Sequence, residues 1–270
     1  MAPPPDLPDG SASGLPPLRS VRESHYRDKC VHRARGLRDL ERLVGGIGDD
    51  IDAMLARRAP LRVLELGCGY GTALLELRAR YGGRLELHGL NRFPFDGAAD
   101  VLYRNAVERG LLGEGEAASA PWPTIRHGDV AGGLPYPDDS FDLVYSQVAW
   151  LYFGNKLGVV REVMRVLRAD GIAKIDADEI HPALPPEYAR LVEIWDHGRL
   201  LPFGEYMRRY GGAFVPASEG EYLRFQKAPG FGADLRAIVE IDATLIHAEW
   251  DGIKCVYART TSTSIKGLPT

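Results

Sequence analysis

The sequence predicts an α/β fold, a mostly parallel sheet wound on both faces by helices and closed by an antiparallel pair. Three observations predict it. From residue 61 to residue 178, short apolar runs alternate with segments of helical spacing, the pattern of parallel strands joined by crossover helices. The segment "AIVEIDATLIHAEWDGIKCVYART" breaks that rhythm with two strand-like runs around Trp250-Asp251-Gly252, a strong hairpin signal. The chain has 270 residues, 45% of them apolar, enough for one sizeable core.

The elements follow in order. Residues 1–20 are rich in Pro, Gly and Ser and are expected to be a disordered tail. Residues 21–58 are expected to form a helical cap, with Leu37, Leu40, Val44, Ile47, Ile51 and Met54 at helical spacing. Gly45, Gly46 and Gly48 weaken that helix or split it in two. After Pro60, residues 61–66 read as a short buried strand. Residues 72–81 read as a helix with Leu74, Leu77 and Tyr81 on one face. A strand over 84–90, a helix over 97–111 and a strand ending near His127 come next. "SFDLVYSQ" is the fourth strand, residues 156–168 the next helix, and "IAKIDAD" the fifth strand. Residues 179–236 are too long for an ordinary connection and carry many aromatics. They are expected to form a helical, aromatic lid at the carboxyl edge of the sheet, where α/β ligands bind. Residues 261–270 are expected to be a tail.

Composition removes several classes of function. A net charge of −4 argues against a general nucleic-acid binder. No apolar run of membrane-spanning length occurs, so no membrane association is expected. The three isolated cysteines, Cys30, Cys68 and Cys255, fit neither a disulfide framework nor a metal site. The N-terminal residues lack the apolar core of a signal peptide. A reducing, cytoplasmic setting with no bound metal is the expectation.

The first strand runs into Gly67-Cys68-Gly69-Tyr70-Gly71, with Glu65 inside the strand end. Glycines at a strand-to-helix turn allow a tight turn and close approach of a ligand. The spacing is G-x-G-x-G, and a pyrophosphate-binding dinucleotide loop would read G-x-G-x-x-G. An acid so near the loop suits a ligand bearing an amine or hydroxyls and disfavours phosphates.

At these residues the chain resembles the class I S-adenosylmethionine (SAM)-dependent methyltransferases. "ELGCGYG" is similar to that family's first motif. "HGDVAGGLPYPDDSFDLVYSQ" resembles its third-to-fourth-strand segment, and "REVMRVLRADGIAKI" its helix and turn before strand five. The resemblance covers residues 58–178 well and 237–260 loosely. It implies a SAM-dependent methyltransferase domain over residues 59–260, built on a seven-stranded, mostly parallel sheet with an antiparallel C-terminal hairpin, and S-adenosylmethionine as cofactor. Residue by residue, Glu65, Gly67, Cys68, Gly69 and Gly71 would line its methionine and ribose portions. Asp129 would accept from the adenine amine, with Val130 against the ring. Ser146 and Gln147 would lie near the methionyl end. Strand two of that family usually ends in an acid that takes both ribose hydroxyls. Asn91 stands there in this sequence, without charge but with a carbonyl oxygen that could still contact the ribose.

Methyl transfer from a sulfonium needs alignment in a closed site, and a base only when the acceptor arrives protonated. Asp178, Glu179 and His181, just past the fifth strand, are the candidate bases. Trp150, Tyr152 and Phe153 either pack the core or wall an acceptor pocket. The expected activity is methylation of an O or N nucleophile of a small-molecule acceptor, in secondary metabolism. The alternatives are methylation of a peptide or protein side chain, and a non-catalytic SAM-binding protein. The oligomeric state, monomer or homodimer, stays open.

Overall fold

The computed structural model describes residues 35–92, 99–112, 119–177, 192–196, 199–227, 243–249 and 254–259. Two helices come first, α1 (Leu37–Val44) and α2 (Ile47–Leu55). The break between them falls at Gly45, whose φ of +69° is open to glycine and strained for other residues. Strand β1 (Leu61–Leu66) leads into α3 (Thr72–Tyr81), and β2 (Leu85–Asn91) into α4 (Ala99–Glu108). Then follow β3 (Thr124–His127), β4 (Phe141–Ser146), α5 (Lys156–Val166) and β5 (Leu167–Ile175).

The main sheet has seven strands in the order β3-β2-β1-β4-β5-β9-β8, with β8 spanning Gly212–Pro216 and β9 Glu221–Gln226. Strands β1 to β5 are parallel neighbours, β9 runs antiparallel to β5, and β8 antiparallel to β9. The expected fold class therefore holds, a seven-stranded sheet with antiparallel strands at its end. The C-terminal hairpin also forms, as β10 (Ala243–Glu249) against β11 (Lys254–Arg259). Contrary to the expectation from sequence, it does not close the main sheet. It joins β6 (Val192–Asp196) and β7 (Arg199–Pro202) in a second sheet of order β10-β11-β6-β7. The strands that close the main sheet come from within residues 179–236. The expected lid there is mostly strand in its described part, with one short helix, α6 (Phe203–Met207). Clustered aromatics serve strands as well as helices, so composition alone did not separate the two.

Alternation along the central strands divides the interior in two. Leu61, Val63, Leu143, Tyr145 and Ile172 face α1, α2 and α3. Leu64, Leu66, Val144, Ala173 and Ile175 face α5 and the second sheet, where Ile194, Cys255 and Tyr257 meet Leu157 and Val160. Lys174 pegs the α1–α2 turn to the sheet: its buried ammonium donates to the Gly46 carbonyl at 3.1 Å and pairs with Asp50. Charge-assisted bonds of this kind contribute about 1.5–3 kcal/mol each.

The chain passes β1 to β2 to β3 on one side of β1, then crosses to β4 and β5 on the other. That reversal between β1 and β4 opens a crevice at their carboxyl ends, the ligand position of open α/β sheets. Among the described residues, no helix is long and apolar enough to cross a membrane.

Candidate active site

The loop after β1 is built by its glycines and by the end of β2. Gly67, Gly69 and Gly71 all have positive φ, at 72°, 52° and 68°. A Cβ on Gly67 would stand 2.4 Å from the Cβ of Ala149, in the turn after β4. So Gly67 is required twice, by its backbone conformation and by the contact between the two turns. Gly71 opens α3, and its carbonyl accepts from Leu75 at 2.9 Å.

Residues Gly67 to Gly69 hang on the last two residues of β2. The Leu90 carbonyl accepts from Gly67 N at 2.8 Å and from Cys68 N at 3.4 Å. Asn91 is buried, and its side-chain amide meets Gly69 at both ends. Gly69 N donates to Asn91 Oδ1 at 2.8 Å, and Asn91 Nδ2 donates to the Gly69 carbonyl at 2.8 Å. The Asn91 main-chain carbonyl accepts from Gly128 N at 2.9 Å, tying the exit of β3 to the same point.

Glu65 is 1% exposed at the end of β1, directly beside Tyr145 of β4 in register. Gln147 Nε2 donates to its Oε1 at 2.9 Å, and the Tyr145 hydroxyl to its Oε2 at 3.3 Å. Both partners are neutral. Burial pushes the carboxyl up to about 7, and the two hydrogen bonds only partly oppose that rise. Gln147 Oε1 is buried with no hydrogen-bond partner among the described residues. Among the described residues, a buried carboxylate with no cation and a buried acceptor with no donor thus lie together at the carboxyl ends of β1 and β4. Ser146 faces the other way, its hydroxyl donating to the Leu66 carbonyl at 3.0 Å.

The turn after β4 is strained. Val148 has φ +58°, unusual for a β-branched residue. Its N–H donates to Asp176 Oδ2 at 2.9 Å, and Asp176 N returns a bond to the Ser146 carbonyl at 3.0 Å. Asp176 and Tyr145 were not singled out from the sequence. Tyr145 reads there as one more apolar strand residue, and its role comes from lying opposite Glu65. Asp176 lies at the end of the fifth strand, where β/α ligand residues concentrate.

Asp129 caps the short turn that follows β3, its Oδ1 accepting from Ala131 N at 2.9 Å, while Oδ2 lies 3.7 Å from Arg92. Val130 is buried beneath that turn. Trp150 and Phe153 are buried in the core, Trp150 stacked on Phe203 with centroids 5.8 Å apart, and Tyr152 is half-buried beside them. The structure therefore brings together Glu65, Gly67, Gly69, Asn91 and Gln147 at the carboxyl ends of β1, β2 and β4, with Asp129 and Val130 joined through Asn91, while Ser146 turns to the Leu66 carbonyl and Cys68 packs into the core. Asp178, Glu179 and His181 lie outside the described residues.

Residues 64–175 match the family model described as a methyltransferase domain. The malonyl-[acyl-carrier protein] O-methyltransferase of Halorhodospira halophila is 36% identical over 115 residues, 42% of this chain and 33% of that protein. The 27-O-demethylrifamycin SV methyltransferase of Amycolatopsis mediterranei is 26% identical over 132 residues, 49% of this chain and 44% of that protein. The chain thus spans less than half the length of these curated relatives. A solved SAM-dependent methyltransferase from Aquifex aeolicus superposes with a TM-score of 0.44 at 14% identity, covering 69% of this chain and 90% of that one.

Proposed function

We propose that this chain is a class I S-adenosylmethionine-dependent methyltransferase that methylates an oxygen or nitrogen of a small-molecule acceptor, a reading supported by the methyltransferase-domain match of residues 64–175. The observation that carries the reading is the pair Glu65 and Gln147. A buried carboxyl lacking a cation among the described residues, beside a buried amide oxygen unpaired among them, suits the ammonium of an amino-acid ligand. The glycine loop beside it leaves backbone, without side chains, against the ligand.

In this reading Glu65 and Gln147 hold the amino end of the cofactor, and the loop from Gly67 to Gly71 borders its ribose. Asp129 and Val130 hold the adenine, Asp129 by its outer oxygen. Bound SAM supplies a methyl group on a sulfonium, whose departing thioether is neutral. The chain has to fix the acceptor in line with that methyl and keep water out. Val148 and Ala149, held by Asp176 and by the contact with Gly67, keep the β4 turn against the loop. Asp178, Glu179 and His181 are the proposed acceptors of the substrate's proton. A role in secondary metabolism is supported by the relative named for demethylrifamycin.

Calorimetry with S-adenosylhomocysteine tests the reading. The wild type is expected to bind it, and Glu65→Gln to bind it at least tenfold more weakly. Absence of wild-type binding at millimolar ligand would overturn the proposal.

A further inference from the structure

We infer that Asn91 is a positioning residue, an amide clip that sets the glycine loop in its ligand-ready shape, and that this job requires an amide where an acid would fail. The inference rests on the SAM-binding reading above and assigns the work of one residue within it.

The geometry is a two-point bridge. Gly69 presents an N–H and a C=O to the same side chain, at 2.8 Å each, and only a group with one acceptor and one donor satisfies both. A carboxylate accepts from Gly69 N but turns its second oxygen toward the Gly69 carbonyl, acceptor against acceptor. Alanine leaves both buried main-chain groups unpaired. Asn91 also joins two loops, since its own carbonyl takes the Gly128 N–H just before Asp129. A ligand lying across both loops therefore meets surfaces set by one residue. The absence of charge at this position follows from what the side chain touches. It faces main chain, and both of its polar ends are engaged there.

The test compares wild type, Asn91→Asp and Asn91→Ala, with S-adenosylhomocysteine as probe, by calorimetry from pH 5.5 to pH 8.5. At pH 8.5 Asn91→Asp is expected to bind about ten- to a hundredfold more weakly than wild type, and Asn91→Ala to fall in the same range. The ratio of Asn91→Asp to wild-type affinity is expected to recover at the acid end, where a protonated Asp again offers a donor to the Gly69 carbonyl. Taking the ratio cancels the titration of Glu65, which both proteins share. The inference is overturned if Asn91→Asp binds more tightly than wild type, the result expected of an acid that reaches ribose hydroxyls. If the variants do not fold, amide exchange in the wild type decides: slow exchange at Gly69 N without ligand supports the clip, and fast exchange overturns it. A wild type that binds no probe sinks the function instead, and leaves the exchange measurement to judge the clip.

Discussion

Two buried carboxylates on neighbouring strands define the two ends of the main sheet. Asp142, at the start of β4, is 0% exposed and surrounded by compensation. It pairs with Arg58, accepts from Arg168 at 3.1 Å and from Arg62 N at 2.7 Å. Glu65, near the end of β1, is as deeply buried and, among the described residues, receives only a neutral amide and a phenol. One carboxylate is built into the fold, and the other holds a charge deficit that a ligand can fill. The lesson is that burial alone does not mark a site; burial with unmet electrostatic demand does.

The largest expected effect tests the compensated end. Asp142→Asn removes the charge that holds Arg58 and Arg168. It is expected to destabilise the protein by about 2–4 kcal/mol, since the arginines left behind are partly exposed and rehydrate. Chemical denaturation measures it. An unchanged midpoint would place Asp142 on the same footing as Glu65 and break the contrast.

Next comes the loop that serves the uncompensated end. Gly67→Ala drives a Cβ into Ala149 at a positive φ, costing about 1–3 kcal/mol of stability. S-adenosylhomocysteine affinity is expected to fall with it, because the two turns separate. Normal affinity in a folded Gly67→Ala protein would uncouple the loop from the β4 turn.

Glu65→Gln sharpens the contrast further. At pH 8 its unfolding midpoint is expected to equal or exceed the wild type's, within a few degrees, while ligand affinity drops at least tenfold. The corresponding change at the compensated end costs stability, so opposite signs for the two carboxylates are the signature. A loss of stability in Glu65→Gln matching that of Asp142→Asn would remove the distinction.

The last test is a pH slope. Glu65 is raised in the folded state to about 7 from an unfolded 4.5, so the folded protein binds more protons between those values. Stability from this group is therefore present below pH 4.5 and lost as pH rises to about 7. Subtracting the Glu65→Gln profile from that of the wild type isolates it. A difference profile that rises with pH in that window would contradict the burial argument.

Much of the cofactor half was legible in the sequence. The strand over 61–66 and the helix over 72–81 fall where their apolar spacing put them. The glycine spacing located the crevice, and Glu65 stood out as an acid in an apolar strand. Asn91 was visible as a departure, but its partner was not. Its bond to Gly69 spans 22 residues and depends on β2 lying beside β1, which no local pattern encodes. The second half reads less well for the same reason. Local alternation announces β10 and β11 as strands, yet whether they extend the main sheet or pair with β6 is settled by which edges are covered once the chain has folded.

The sequence by itself determined the element types from residue 61 to residue 175 and the glycine turn after the first strand, because these follow from local periodicity and from glycine conformation. Only the tertiary structure decided that β9 and β8 close the main sheet, that Tyr145 and Gln147 are the neutral company of Glu65, and that the amide of Asn91 is engaged by Gly69. Each of those is a contact between segments distant in the chain, fixed by packing and hydrogen-bond satisfaction of the whole.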